Sequence, residues 1–432
     1  FIEHYATRLH ALGIDAMDCT FGSMLPAKSR SQEVTSGEVI GGGFYVPNLV
    51  ALPYIKRMRE GLKARGIDMP LMGSCNINTP DQMRQMIGEG AADFFTSCRQ
   101  SLDDPDFPRK IAEGREEEIR KSTRTGASLL AGNIFNKGVA GSAQNAAFSR
   151  DRDYRIVPTN HPKRVFIAGG GSGGMEYAIT ADEIGHEVTL FEKSGTLGGV
   201  MNWAGNYRTL RNMEQIAYQP EWHRVMIGKS KVKVHLNTEL TVEKILAEKP
   251  DVVVVATGGI AALPDVAGLD AALANGFART IDSALGEGPE NLPEGPIVVW
   301  GAAEGVELAL DLARAGRKVR LLEPAATFAP TSYIGSRTRF VMKWAEEAGL
   351  APETGVALDT VGTGSITVAH ADGRKEEIAC AVLVVSPGRV AYDPLSTKLA
   401  KAGIQVQVVG DARKPRSYGN SIHEAAYLAR NI

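Results

Sequence analysis

Cysteine is scarce and scattered: Cys19, Cys75, Cys98 and Cys380 are the only four in 432 residues. That spacing suits neither a disulfide framework nor a metal cluster, so no metal ligands are assigned, and it fits a reducing cytoplasm. Charge of one sign is also missing, since 48 Lys and Arg face 50 Asp and Glu for a net charge of −2. Without a global basic field, nucleic acid and anionic membrane surfaces are not expected partners. No apolar run approaches the roughly 20 residues of a membrane span, and no signal-peptide pattern appears. The chain opens at Phe1 inside a helical pattern, as a fragment or processed subunit would. Its length allows two or three domains with full cores.

What is present is organised around residues 164–193. Val165-Phe166-Ile167-Ala168 has the length of a buried parallel strand, and Gly169, Gly171 and Gly174 follow as GxGxxG. An apolar-periodic helix runs through Met175, Ala178, Ile179 and Ile184, and Gly185 ends it. Val188 to Phe191 then make a second strand finishing on Glu192, and Lys193 follows as a further candidate cofactor-binding residue. The first glycine permits a tight turn, the second lets backbone approach a pyrophosphate, and the third lets helix pack on strand. The helix N-terminus faces the phosphate charge. Glu192 stands at a strand end where a carboxylate accepts ribose hydroxyls. Strand, helix, strand and acid together predict an adenine-dinucleotide site.

Upstream, residues 1–115 alternate helices and strands, with strands expected at 13–19, 69–72 and 90–96 and an irregular segment at 22–43. Such units predict parallel strands with right-handed crossovers. A closed eight-stranded barrel needs about 250 residues, so three units are at most its last third. The stretches GIDAMDCTFGS, PLMGSCNINTPDQMRQMIGEGAADFF and SCRQSLDDPDFPRKIAEGREEEIR resemble the late barrel strands of the 2,4-dienoyl-CoA reductase and trimethylamine dehydrogenase family. These are old-yellow-enzyme-type barrels fused to a two-lobed dinucleotide module, and the likeness covers nearly the whole chain. It implies an α/β protein: a partial TIM-type (β/α) barrel segment (1–118), a linker (119–162), an FAD lobe (163–260 and 385–432) and an inserted NAD-type lobe (261–384). It also implies FMN phosphate contact at Arg99 and Gly73, although Arg99 equally suits a surface pair with Asp103 or Asp104. Ser74-Cys75-Asn76 departs from the family's usual turn.

The larger departure lies at residues 121–146. The family carries there four cysteines holding an iron–sulfur cluster, and this sequence has none. Ser122, Thr123, Thr125, Gly126, Ser128 and Ser142 occupy or neighbour the expected positions, and hydroxyls and glycine do not replace thiolates on iron. No iron–sulfur cluster is expected, nor does 21–30 contain the family's barrel histidine.

From Lys163 the likeness resumes. Gly198 and Gly199 resemble the family's second glycine turn beside the flavin diphosphate. Ala256-Thr257-Gly258 closes an apolar strand where this class crosses into its second lobe, or is simply a glycine-capped buried strand. Gly410-Asp411 resembles the strand-GD motif whose aspartate accepts from the ribityl chain, although Asp411 also suits a cap before Pro415. A second strand-turn-helix-strand unit runs from Ile297 through Gly301, Gly305 and Glu323. Its turn is one residue short, with alanine where the close-approach glycine belongs and Glu304 adding charge. NADH binding and a purely structural lobe both stay open there; Glu323 would favour NAD over NADP. His423 reads as a packed or exposed histidine.

The resemblance implies an FAD-containing oxidoreductase or electron-transfer subunit of the NADH:flavin type, with FMN and NADH as further cofactors. Its substrate would be an enoyl, enone or amine compound. The alternative is a scaffold subunit binding FAD or ADP without turnover. Either would be completed by a companion chain or a second copy covering the barrel edge.

Overall fold

The computed structural model describes residues 2–20, 44–74, 76–125, 141–302, 304–328 and 335–432. The chain divides into two compact units, residues 1–149 and 150–432. The expected irregular segment at 22–43 and the positions Cys75, Gly126 and Ser128 lie outside the described residues.

In the first unit β1 (Met17–Cys19), β2 (Leu71–Gly73) and β3 (Phe94–Phe95) form a parallel sheet in that order. Helix Leu52–Lys63 buries Leu52, Ile55, Met58 and Leu62, the spacing of one helix face, into a core with Leu71 and Met86. Thr79 caps helix Pro80–Gly88 by accepting from Gln82 N at 3.3 Å, and Pro80 needs no donor at its first position. Thr79→Ala is expected to cost about 1 kcal/mol in urea unfolding of this unit. The third strand is shorter than the sequence suggests. Gly90, at φ +66°, turns the chain out of the preceding helix, and pairing reaches only Phe94 and Phe95.

In the segment expected to replace the iron–sulfur region, described residues Ser122, Ser142 and Gln144 gather around a buried carboxylate. Asp103 accepts from Ser142 Oγ and from Gln144 Nε2 at 3.5 Å, and also from the Ser122 side chain. Gln100 takes the Ser122 N–H at 2.9 Å. Hydroxyls and amides thus form an internal polar network. Burial raises the Asp103 pKa, outweighing the hydrogen bonds that favour its charge. The folded unit therefore holds a proton that the unfolded chain has already lost, and stability falls as pH rises through that window. Urea midpoints of wild type and Asp103→Asn against pH test this. The variant should lack that fall, and parallel pH profiles would refute it.

The second unit begins with β4 (Arg164–Ala168), helix Ser172–Ile184, β5 (Glu187–Phe191), helix Tyr218–Lys229, β6 (Lys233–His235) and β7 (Val252–Val255). The chain then crosses through β8 (Gly259–Ala261) into a second lobe. That lobe holds β9 (Ala278–Thr280), β10 (Ile297–Trp300), helix Gly305–Arg314, β11 (Val319–Glu323), β12 (Glu353–Thr354), the meander β13 (Val356–Val361), β14 (Ser365–His370) and β15 (Lys375–Ala379), and β16 (Val382–Val385). It returns through β17 (Arg389–Ala391) to β18 (Gln405–Val408) and helix Tyr418–Ala429.

Two five-stranded parallel sheets result, ordered β18-β7-β4-β5-β6 and β12-β11-β10-β16-β9, joined by the antiparallel ribbon β8-β17. All four valines of β7 are fully buried, as a strand covered on both faces requires. Among the described residues no helix is long and apolar enough to cross a membrane.

Candidate nucleotide-binding site

In the first sheet the chain winds from β4 to β6 on one side and returns to β7 on the other, so the switch point lies between β4 and β7. Ligand crevices in such sheets open at the carboxyl ends of the strands there. The Gly169 turn follows β4, Thr257-Gly258 follows β7 and Gly410-Asp411 follows β18, all at that edge.

Gly169 has φ +105°, and a β-carbon on it would overlap Ala256 O. A β-carbon on Gly174 would overlap Gly169 O. Both glycines are closed by packing. Gly171 differs: a β-carbon there meets nothing within 4 Å, so its bare backbone borders open space where the helix begins. Gly198, at φ +125°, donates to Gly170 O at 2.8 Å, and Gly199 lies against Gly171. The two glycine turns therefore meet.

Glu192 is buried and holds this turn rather than standing free: Oε2 accepts from Gly170 N at 2.7 Å and Oε1 from Ser194 N at 2.8 Å. Each carboxylate oxygen keeps a second acceptor position. Thr257 Oγ1 donates to Tyr392 O, and Tyr392 N to Gly258 O at 3.1 Å, so these two residues fasten the ribbon. Lys193 is exposed, its ammonium 5.8 Å from the Tyr392 ring centre. Asp411 Oδ1 accepts from Arg416 N at 3.0 Å, the turn-capping role. Burial raises its pKa against that bond. Gly410 N donates to Glu424 at 3.0 Å.

The second lobe repeats this framework. Gly301 has φ +96° and its N–H donates to Leu322 O, as Gly169 N donates to Phe191 O. Glu323 accepts from Ala302 N at 2.8 Å and Ala325 N at 2.9 Å, the counterpart of Glu192. Ser386 packs against Gly301 and Gly305 as Ala256 does against Gly169 and Gly174.

In the first unit a β-carbon on Gly73 would meet Met86 and Ala92, so this glycine is closed by core packing. Arg99 donates to Asn76 Oδ1 at 2.6 Å, which links the turns after β2 and β3; Asp104 instead pairs with Lys110 at 2.7 Å.

Several residues of the second unit had no sequence signal. Arg389 donates to Glu304 at 2.9 Å and to Asp282 at 2.6 Å, and Trp203 Nε1 donates to the same Asp282 at 3.4 Å. Burial disfavours the Arg389 charge, but the hydrogen bonds to Glu304 and Asp282 outweigh it and raise its pKa. Buried Asp311 accepts from the N–H groups of Arg208 at 3.0 Å and Thr209 at 2.6 Å. Beneath the glycine helix, Ser172 donates to Gln219 at 3.0 Å, and His223 joins Gln219 to Glu176. Among the described residues no group of three His, Cys, Asp or Glu side chains is arranged to hold a metal ion.

Two joined lobes, each with a strand-glycine turn-helix and an acid at the next strand end, give the architecture of two-domain dinucleotide-binding proteins. Residues 163–413 match the pyridine nucleotide-disulphide oxidoreductase family, and the chain belongs to it. It is 28% identical to an NADH oxidase of Thermoanaerobacter brockii over 351 residues, 80% of this chain and 53% of the relative. It is also 28% identical to a bilirubin reductase of Mediterraneibacter gnavus over 392 residues, 88% of this chain and 57% of the relative. The chain thus spans little more than half the length of these relatives. Among solved structures, 2-naphthoyl-CoA reductase in complex with 2-naphthoyl-CoA superposes with a TM-score of 0.82 at 25% identity, covering 100% of this chain and 62% of that one. Histamine dehydrogenase from Rhizobium sp. 4-9 gives 0.75 at 22% identity, over 92% and 60%, and shares the fold. Membership of the family implies a flavin and a nicotinamide cofactor.

Proposed function

We propose that this chain is the FAD-bearing part of a flavin-dependent oxidoreductase. The observation that carries the reading is Gly171, whose bare backbone borders open space at the start of a 13-residue helix. A diphosphate fits a surface of this kind, because unpaired N–H groups and the helix dipole both favour negative charge. The backbone at Gly171 and Ser172 would hold the diphosphate, with Gly198 and Gly199 beside it. The remaining acceptor positions of Glu192 would take adenosine ribose hydroxyls, and Asp411 Oδ2 the ribityl chain. When bound, FAD supplies the two-electron chemistry, and the protein contributes position and field.

The first unit is read as the late part of a (β/α) barrel, its parallel strands supporting this. Arg99, oriented by Asn76, is the candidate for an FMN phosphate there. Relatives named as reductases and a solved 2-naphthoyl-CoA reductase favour reduction of conjugated or aromatic acyl substrates by the whole enzyme. They do not favour a scaffold without turnover. Denaturing the purified protein and chromatographing the released nucleotides tests the proposal. One FAD per chain is expected; ADP alone, or no nucleotide, would overturn it.

A further inference from the structure

The second lobe keeps the framework of the first but alters its mouth. In the first lobe Gly174, which packs on Ala256, is the third residue of its helix, and Ser172 and Gly173 form the first turn ahead of it. In the second lobe Gly305, which packs on Ser386, is itself the first helical residue. By sequence the connection from Gly301 to Gly305 is one residue shorter than that from Gly169 to Gly174, and no helical residue precedes Gly305 where Ser172 and Gly173 precede Gly174. Directly before the helix, where the first lobe has Gly171 beside open space, the second has Glu304.

The Glu304 side chain is held in place. Arg389 Nε lies 2.9 Å from Oε1 and Nη2 2.9 Å from Oε2, a two-pronged ion pair on a guanidinium only 14% exposed. The same guanidinium grips Asp282 at 2.6 and 3.1 Å. One arginine serving two carboxylates leaves little positive charge for a third anion, and an incoming diphosphate would face Glu304 at close range.

We propose that this lobe does not receive a dinucleotide diphosphate. The Glu304 carboxylate occupies the mouth of the turn, and its pairing with Arg389 instead fastens the second lobe to the connecting ribbon. This departs from what family membership implies for the lobe and does not rest on the FAD reading.

Equilibrium dialysis of the flavin-saturated protein against NAD+ tests it, with flavin content measured on the same sample so that failure of the FAD reading is seen separately. No saturable NAD+ site dependent on Glu323 is expected. Replacing Glu304 by glycine and adding one glycine beside it should create a site, with NAD+ bound at least about tenfold tighter than by wild type. A full equivalent of NAD+ on the wild-type protein, lost in Glu323→Ala while flavin content holds, overturns the proposal whether or not the engineered turn folds. NAD+ binding indifferent to Glu323→Ala lies outside this mouth and upholds it.

Discussion

Gly171→Glu should weaken FAD binding about a hundredfold and leave the folded lobe intact. The substitution gives the first lobe the side chain that the second already carries before its helix. A β-carbon at Gly171 has nothing within 4 Å and its φ of −75° is open to any residue, so the backbone tolerates the change. The added carboxylate would stand against the diphosphate. At an effective dielectric of about 20, unit charges about 4 Å apart interact by roughly 4 kcal/mol. After screening, a loss of about 3 kcal/mol, or about a hundredfold in affinity, is expected. Gly174→Ala provides the contrast. Its methyl group would overlap Gly169 O, so the turn itself must open and thermal stability should fall together with flavin. Calorimetric FAD titration and thermal melts of both variants separate the cases. Loss of stability in Gly171→Glu without flavin present, or undiminished FAD affinity, would count against this assignment.

Arg389→Met should destabilise the lobe junction by about 2 kcal/mol. It removes one guanidinium from two carboxylates and leaves Glu304 and Asp282 without their shared partner. Breaking a buried pair costs about 3–5 kcal/mol. The carboxylates here are 38% and 27% exposed, so solvent screening reduces the expected loss to about 2 kcal/mol. Adding Glu304→Gln to Arg389→Met should restore part of it, because only one unpaired charge remains. Urea unfolding of the single and double variants measures this. Equal stabilities for wild type and Arg389→Met would show the ion pair to be energetically idle.

The first-lobe site was legible because its parts are close in sequence. Gly169, Gly171, Gly174 and Glu192 span one strand-helix-strand unit, in which Gly169 and Gly174 answer to close packing and Gly171 borders open space. Even so, spacing assigned Glu192 to the ribose alone, whereas its two oxygens hold Gly170 and Ser194. The second lobe's short turn was equally visible, but its consequence was not. Arg389 reaches Glu304 across 85 residues and Asp282 across 107, and no periodicity links such positions. Likewise Asp103 gathers Ser142 from 39 residues away, so a row of missing cysteines gave no hint of a polar network. Gly73 was assigned to phosphate approach, and a β-carbon there would meet Met86 and Ala92, core contacts that no spacing signalled.

The most direct measurement is a crystal structure of the protein soaked with FAD. The diphosphate oxygens should lie within hydrogen-bond reach of the backbone N–H groups at Gly171 and Ser172, with the adenosine ribose on Glu192. A nucleotide bound elsewhere, or a first-lobe turn that stays empty at saturating FAD, would contradict the flavoprotein reading.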